Sequence, residues 1–382
     1  MATIWSALAD SSRHSIFLLP ESVEVWLETF GEELDPTILI FREPDRTPIG
    51  ACLLIRRTMR KGPFLLRRVY LNTAGEDDAD SACIEFNEFV CKPGHEPAIA
   101  LALRAYLDDN SDAHPWDELV AAGMLEGPSL DALRIAFSDG QEVEQAKKSY
   151  FVDLNAVRSS GKGFVETLSS RERTRCRQNV RKYSELGDLD LREASTVEEA
   201  VLFLDALAAL HQKTWTSRGM PGSFASKRFY DYHRRLVRRS FPLGRIQLVR
   251  LSAGNTTIGY HYAFVVGDTS YFYQCGYDYH LGEKTSPGVT LHAAAIQHSL
   301  AQGLARYDFM AGDVEYKRRM GTGSRLVHWI SWQAPTMKMK SFDFVRQAKR
   351  LIRSRSHEVR AALTNSLRTL AAPYARRSER WA

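Results

Sequence analysis

The chain has 382 residues, 44% hydrophobic and 25% charged, with a net charge of +5. That is the balance of a folded protein of about two moderate cores, and it excludes an intrinsically disordered chain. No apolar run approaches the ~18–20 residues that span a bilayer, and residues 1–20 lack the basic and apolar pattern of a secretory signal, so a cytoplasmic address is expected.

In chain order, Ser15–Leu19 and Thr37–Phe41 read as short strands flanking a helix over Glu21–Phe30, where Val23, Leu27 and Phe30 recur at helical spacing. Pro48–Arg57 and Phe64–Leu71 are apolar and β-prone. Glu96–Asp109 reads as a helix. His114–Val120, Ala132–Phe137 and Ser149–Leu154 read as strands, and Arg158-Ser-Ser-Gly-Lys-Gly163 as a link. Thr167–Leu186 is a basic helix candidate and Asp188–Glu193 a strand. Ser195 and Thr196 before Glu198 and Glu199 signal the start of a helix running to about Trp215. A second helix covers Ser226–Arg239. Arg245–Leu251, Thr257–Val266 and Thr269–Gly276 form an antiparallel meander turned at Gly254-Asn255 and Gly267-Asp268. A helix from Pro287 to about Gly303, a strand Arg306–Met310, a short helix from about Val314 and a strand Leu326–Trp332 follow. This order predicts an α/β fold on a mixed sheet. Three segments are expected: 1–157, 158–337 and a basic tail, 338–382. The tail holds 12 Lys/Arg against 3 Asp/Glu, so the rest of the chain is net −4. Its apolar residues from Phe344 to Leu370 recur at threes and fours, which predicts a helix docked on the body or lying on an anionic membrane or protein partner.

Five scattered cysteines without C-x-x-C spacing predict neither a disulfide framework nor a metal site. The chemistry concentrates between Tyr271 and Gly321. Ser286 is placed to cap a helix, Pro287 occupies the first-turn position that needs no N–H, and Gly288 leaves that turn bare. With Val289 and Thr290 this makes a candidate phosphate seat, because free N–H groups and the helix dipole favour anions. Asp308 interrupts an apolar strand and needs a partner. Asp313 is either a base or the cap of the short helix. Tyr316 can protonate a leaving thiolate, and Lys317 can pair with a phosphate or with Asp308. His211 is a candidate general base. Cys275 lies beside these residues, but no base precedes it locally. Trp215, Gln274 and Asp278 are candidate contacts. The tyrosines at 260, 262, 271, 273 and 277 suit either sugar stacking or an ordinary half-buried sheet.

Leu210-His-Gln…Trp215…Arg218-Gly219, Tyr273-Gln-Cys-Gly-Tyr-Asp278, Ser286-Pro-Gly288 and Tyr307-Asp-Phe-Met-Ala-Gly-Asp313…Tyr316-Lys317 resemble the GNAT acyltransferases. The resemblance is closer to the CelD/BcsL-like branch, associated with cellulose and exopolysaccharide biosynthesis and related to FemAB-type transferases. Weaker matches lie in Arg171–Lys182, Tyr150–Leu154 and Trp116–Leu119. The resemblance implies a GNAT-like fold, with two such halves in tandem as in FemAB-like proteins. It also implies an acetyl-CoA or other acyl-CoA donor without a metal, and transfer to an amino sugar or polysaccharide precursor. The location it implies is cytoplasmic, with a place peripheral to the inner membrane as the variant. Two alternatives remain at this point: aminoacyl transfer from tRNA, for which the six Lys/Arg of Arg171–Lys182 would serve, and a catalytically silent subunit of a polysaccharide assembly.

Overall fold

The computed structural model describes residues 2–9, 15–73, 75–281 and 285–348. The first half runs α1 (Ala2–Ala9), α2 (Pro20–Leu34), β1 (Thr37–Arg42), β2 (Pro48–Lys61), β3 (Phe64–Leu71), β4 (Val90–Cys91), α3 (Glu96–Asp109), β5 (Glu118–Leu125), α4 (Pro128–Ala136) and β6 (Gln141–Asp153). Then come α5 (Leu154–Ser159), α6 (Phe164–Thr167), α7 (Ser170–Ser184) and β7 (Leu189–Glu193). The second half continues with α8 (Val197–Ser217), α9 (Lys227–Ser240), β8 (Ile246–Ala253), β9 (Thr256–Val266), β10 (Thr269–Tyr277), α10 (Pro287–Ala301), β11 (Arg306–Ala311), α11 (Glu315–Met320) and β12 (Gly323–Gln333).

One sheet joins the strands in the order β1-β2-β3-β5-β12-β6-β11-β10-β9-β8-β7, with β4 against β2. Each half repeats one order: two helices, a three-strand meander, a helix, a strand parallel to the last of the meander, a helix and a final strand. The final strands are exchanged. β12 pairs with β5 of the first half, β6 pairs with β11 of the second, and β6 and β12 pair with each other over Gln141–Phe151. Helices α1, α2, α8 and α9 cover one face around Trp26, Phe30, Tyr232 and Leu204. On the other face α3 and α4 enclose one core, and α7 and α10 another.

Several expectations are corrected. Ser15–Leu19 is not a strand: Ser15 caps a 3-10 turn, Ile16–Leu18. Ala132–Phe137 is not a strand but the end of α4 with its C-cap residue, Phe137; Pro128 opens this helix, and Leu130 and Leu133 are buried three residues apart. The strand expected over His114–Val120 runs from Glu118 to Leu125. β6 begins at Gln141, eight residues early, because its polar, exposed first part is held by ladder bonds to β12 rather than by burial. A helix spans 337–348 and docks on the body through Lys338–Asp117 (2.6 Å) and the Phe342–Phe64 ring contact. The tail expected to continue to Leu370 lies, past 348, outside the described residues. No described helix is long and apolar enough to cross a membrane.

Candidate functional site

The site forms where β10 and β11 part. They pair in parallel over three positions, Thr269↔Arg306, Ser270↔Tyr307 and Tyr271↔Asp308, and then diverge. β10 also slips register against β9 between Phe272 and Gln274, a bulge that re-aims the side chains beyond it. The opening holds a cleft of about 540 Å³ lined by residues of β10, α8, α10 and α11.

Two glycines bring the walls close. A Cβ on Gly276 would lie 2.2 Å from the Leu207 carbonyl oxygen, so only glycine lets α8 press onto β10 here. A Cβ on Gly288 would lie 3.2 Å from the Tyr277 ring, so α10 starts against the cleft wall. On α7, Arg175 and Asn179 share one face at four-residue spacing and both bond Ser286. Arg175 donates to its Oγ (3.1 Å), and Asn179 Oδ1 accepts from its N–H (3.0 Å).

Ser286 therefore does not cap α10 with its side chain, as the sequence suggested, because Arg175 occupies the hydroxyl. The exchange adds a guanidinium to a helix N-terminus opened by Pro287, which strengthens the preference for an anion. Pro287, Gly288 and Val289 line the cleft. Thr290 does not, since it is buried with its hydroxyl returned to the Ser286 carbonyl.

His211 lines the cleft. Its Nδ1 lies 3.2 Å from the Cys275 carbonyl oxygen, and its Nε2 accepts from the Ser223 N–H at 3.3 Å. A carbonyl accepts only, so Nδ1 carries the proton and the lone pair is on Nε2. Burial pushes its pKa below the ordinary value. Trp215 and Gln274 also line the cleft. Tyr316 stacks on His292 at 4.9 Å, and burial keeps its hydroxyl protonated. Burial raises the Cys275 thiol to about 11, which removes it as a thiolate nucleophile.

Four other candidates stand outside the cleft. Asp308 is fully buried, bonded to Ser149 Oγ (2.8 Å), Arg325 (2.8 Å) and the N–H of Met310 (2.7 Å), whose φ is +58°. These are the partners its position demanded, and they hold an irregularity within β11, whose pairing with β6 shifts register between Asp308 and Ala311. Asp313 is exposed, paired with the Tyr150 hydroxyl (2.9 Å) and Arg318 (3.4 Å); Val314, not Asp313, precedes α11 as its cap residue. Lys317 is buried and donates to the carbonyls of Met310 and Ala311. Asp278 sits in an adjoining cavity.

Under the cleft lies a histidine–tyrosine network that sequence reading missed. His292 Nδ1 is 3.1 Å from the Tyr307 hydroxyl, His261 Nε2 is 2.6 Å from the Tyr277 hydroxyl, and the two imidazoles are 4.4 Å apart. Burial drives His292 down to about 3 and holds His261 well below its ordinary value, so both are neutral. The only signal in the sequence is a histidine within an otherwise apolar helix face. Glu85 was missed as well. Reaching over from the first half, it accepts the Ala311 N–H at 2.7 Å, and burial raises its carboxyl to about 7.

The equivalent opening of the first half is filled by its own chain. β3 and β5 pair over Arg68↔Glu118 to Tyr70↔Val120 and part, but β4 takes the vacated edge of β2 and Asn87 bridges Met124. Among the described residues, no group of three His, Cys, Asp or Glu side chains is arranged to hold a metal.

Residues 170–318 match the family described as acetyltransferase (GNAT) domain. No curated protein matches the chain. Among solved structures, FemX aligns with a TM-score of 0.57 at 11% identity over 90% of this chain and 98% of its own. The C-terminal domain of a putative lysylphosphatidylglycerol synthetase from Agrobacterium fabrum aligns with a TM-score of 0.51 at 9% identity, over 90% and 94%. A conserved protein of unknown function from Bacteroides thetaiotaomicron aligns at 0.50 and 11%, over 87% and 96%. At these identities the likeness is one of fold. The chain has a GNAT-type acyltransferase fold, and its sequence signature lies in the half that keeps an open cleft.

Proposed function

We propose that this chain is an acyl-CoA-dependent N- or O-acyltransferase acting on an amino sugar or polysaccharide precursor by direct attack on the thioester. The carrying observation is the parting of β10 and β11 at the start of α10, with Arg175 beside it. The donor's phosphates sit on that helix start and guanidinium, and its thioester enters between the strands. The acceptor's lone pair attacks the carbonyl carbon, and its proton passes to His211 Nε2, whose hold on the Ser223 N–H is long. Backbone N–H groups along the free edge of β10 hold the oxyanion. As the C–S bond breaks, the Tyr316 hydroxyl donates to the thiolate, with water completing the proton transfer. Asp313, exposed and paired elsewhere, has no part in this scheme. Acetyl is the expected acyl group, and exopolysaccharide or cellulose biosynthesis in the cytoplasm, peripheral to the inner membrane, the expected setting.

Calorimetric titration with CoA tests the donor, and acyl-CoAs retained on purification, read by mass spectrometry, give the chain length. His211→Ala is expected to lower kcat by ~10²–10⁴-fold without changing CoA affinity, whereas Asp313→Ala changes kcat little. Unchanged turnover in His211→Ala removes the base. The acid limb of the kcat/KM profile is expected below pH ~6.5, because burial disfavours the imidazolium of His211.

One observation favours a second reading, aminoacyl transfer from tRNA. Arg171 and Arg175 of α7 line an open groove with Glu315 and Arg319, the latter two paired with each other, and the two α7 arginines beside Ser286 suit a longer polyanion. Binding of charged tRNA but not CoA selects it.

A further inference from the structure

Arg218 follows α8 directly, and its guanidinium carbon lies 5.8 Å from the Trp215 ring centroid and 5.7 Å from that of Tyr279. Two aromatic rings flank the fork, and a guanidinium fork matches the geometry of phosphate and carboxylate oxygens. Among the described residues no carboxylate pairs with it, although many of the arginines elsewhere on the surface have one.

Arg218 also stands between two cavities. On one side is the transfer cleft. On the other is a cavity of about 310 Å³ lined by Lys213, Thr214, Ser217 and His280, with Asp278 as its carboxylate. That carboxylate is already engaged with the backbone N–H of His280 at 3.0 Å. The wall therefore offers two cations, an imidazole and the Thr214 hydroxyl against one acid, the Ser217 hydroxyl being engaged with the Thr214 carbonyl, and this excess of donors favours an anionic occupant.

We propose that this outer cavity anchors an anionic group of the acceptor, a phosphate ester in chemical class, with Arg218 as the fork that reads it. The assignment to the acceptor rests on the acyl-transfer reading of the cleft. The donor's anion seat, α10 with Arg175, packs on one face of the sheet, and α8, which carries Lys213 and leads to Arg218, packs on the other. Two substrates anchored on opposite faces meet between the parted strands beside Cys275 and Tyr316. The acceptor is then a phosphorylated or nucleotide-linked sugar rather than a neutral one.

The test titrates inorganic pyrophosphate into the full chain saturated with CoA. Wild type is expected to bind saturably. Arg218→Gln and Lys213→Gln are each expected to weaken pyrophosphate by about tenfold or more and to leave CoA affinity unchanged. Arg218→Lys, which keeps the charge but not the fork, falls between, and circular dichroism checks that each variant is folded. Arg175→Gln is expected to do the reverse, weakening CoA and sparing pyrophosphate. Equal loss of CoA and pyrophosphate in Arg218→Gln assigns the fork to the donor and overturns the proposal. So does an absence of saturable binding, or binding that Arg218→Gln leaves intact. If wild type binds no CoA, the donor reading fails by itself; the same variants compared without CoA then decide the subsite, which is overturned if Arg175→Gln weakens pyrophosphate as much as Arg218→Gln.

Discussion

Gly276 and Gly288 carry opposite expectations for one substitution. At Gly276 a methyl group meets the backbone carbonyl of Leu207, which cannot move without shifting α8. Gly276→Ala is expected to cost about 1–3 kcal/mol, seen as a lowered thermal midpoint, and to displace His211. At Gly288 the methyl meets the edge of the Tyr277 ring at 3.2 Å, and a ring can yield by a few tenths of an ångström. Gly288→Ala is expected to fold with nearly unchanged stability and to bind CoA more weakly, which paired melting and calorimetry would separate. Asp308 shows the same division between anchoring and chemistry. Its carboxylate is satisfied by three donors within 2.8 Å, so it shapes the irregular end of β11 rather than entering the reaction.

Among the described elements, β4 and the segment before it fill the parting of β3 and β5, whereas that of β10 and β11 stays open. Asn72 donates to Asn87 Oδ1 (2.5 Å) and to the Glu88 carbonyl (2.8 Å), Asn87 donates to the Leu71 carbonyl (3.2 Å), and the Asn87 N–H bonds Gly123 (2.9 Å). Both side chains are buried. Asn87→Ala leaves buried amide and carbonyl groups unpaired and is expected to cost ~1–3 kcal/mol, measured by denaturant unfolding, while kcat holds. A fall in kcat without loss of stability would instead give the filled opening a part in the reaction. α10 works differently. Its interior packs His292 among aromatic rings, and its first turn, held by Arg175 and Asn179, is left to face the cleft.

At the scale of the whole molecule, strand exchange makes the two halves interdependent. β12 lies between β5 and β6, so a chain ended at Thr322 removes a central strand from the sheet. Such a truncation is expected to abolish cooperative unfolding, which thermal melts of the shortened chain would check. Three imidazoles set the acid limit. Burial lowers the folded pKa of His233 and His292 to about 3 and that of His261 well below its ordinary value. The unfolded chain therefore binds more protons than the folded one below about pH 6.5, and stability falls as pH drops from there toward 3. Each histidine adds a slope of at most about 1.4 kcal/mol per pH unit. Melting curves between pH 7 and 4 check the sign, and Tyr307→Phe, which removes the partner of His292, should change the slope less than His292→Leu.

The sequence alone determined most elements of the second half, because its strands alternate, its turns carry Gly-Asn and Gly-Asp, and its helices announce their starts with Ser, Thr or Pro. Of the candidate site residues read from it, Ser286-Pro-Gly288, His211, Trp215, Gln274 and Tyr316 line one cleft. It left open which polar residues face that cleft. Asp308, Asp313, Lys317 and Thr290 are near in sequence but turned away, and this depends on bonds to Ser149, Tyr150 and backbone carbonyls that no local pattern encodes. Only the tertiary structure gave Ser286 to Arg175, filled the first opening with Asn87 and exchanged β6 with β12. Each of these is a pairing between residues far apart in the chain, and such pairings are decided by which partners the packed sheet brings within bonding distance.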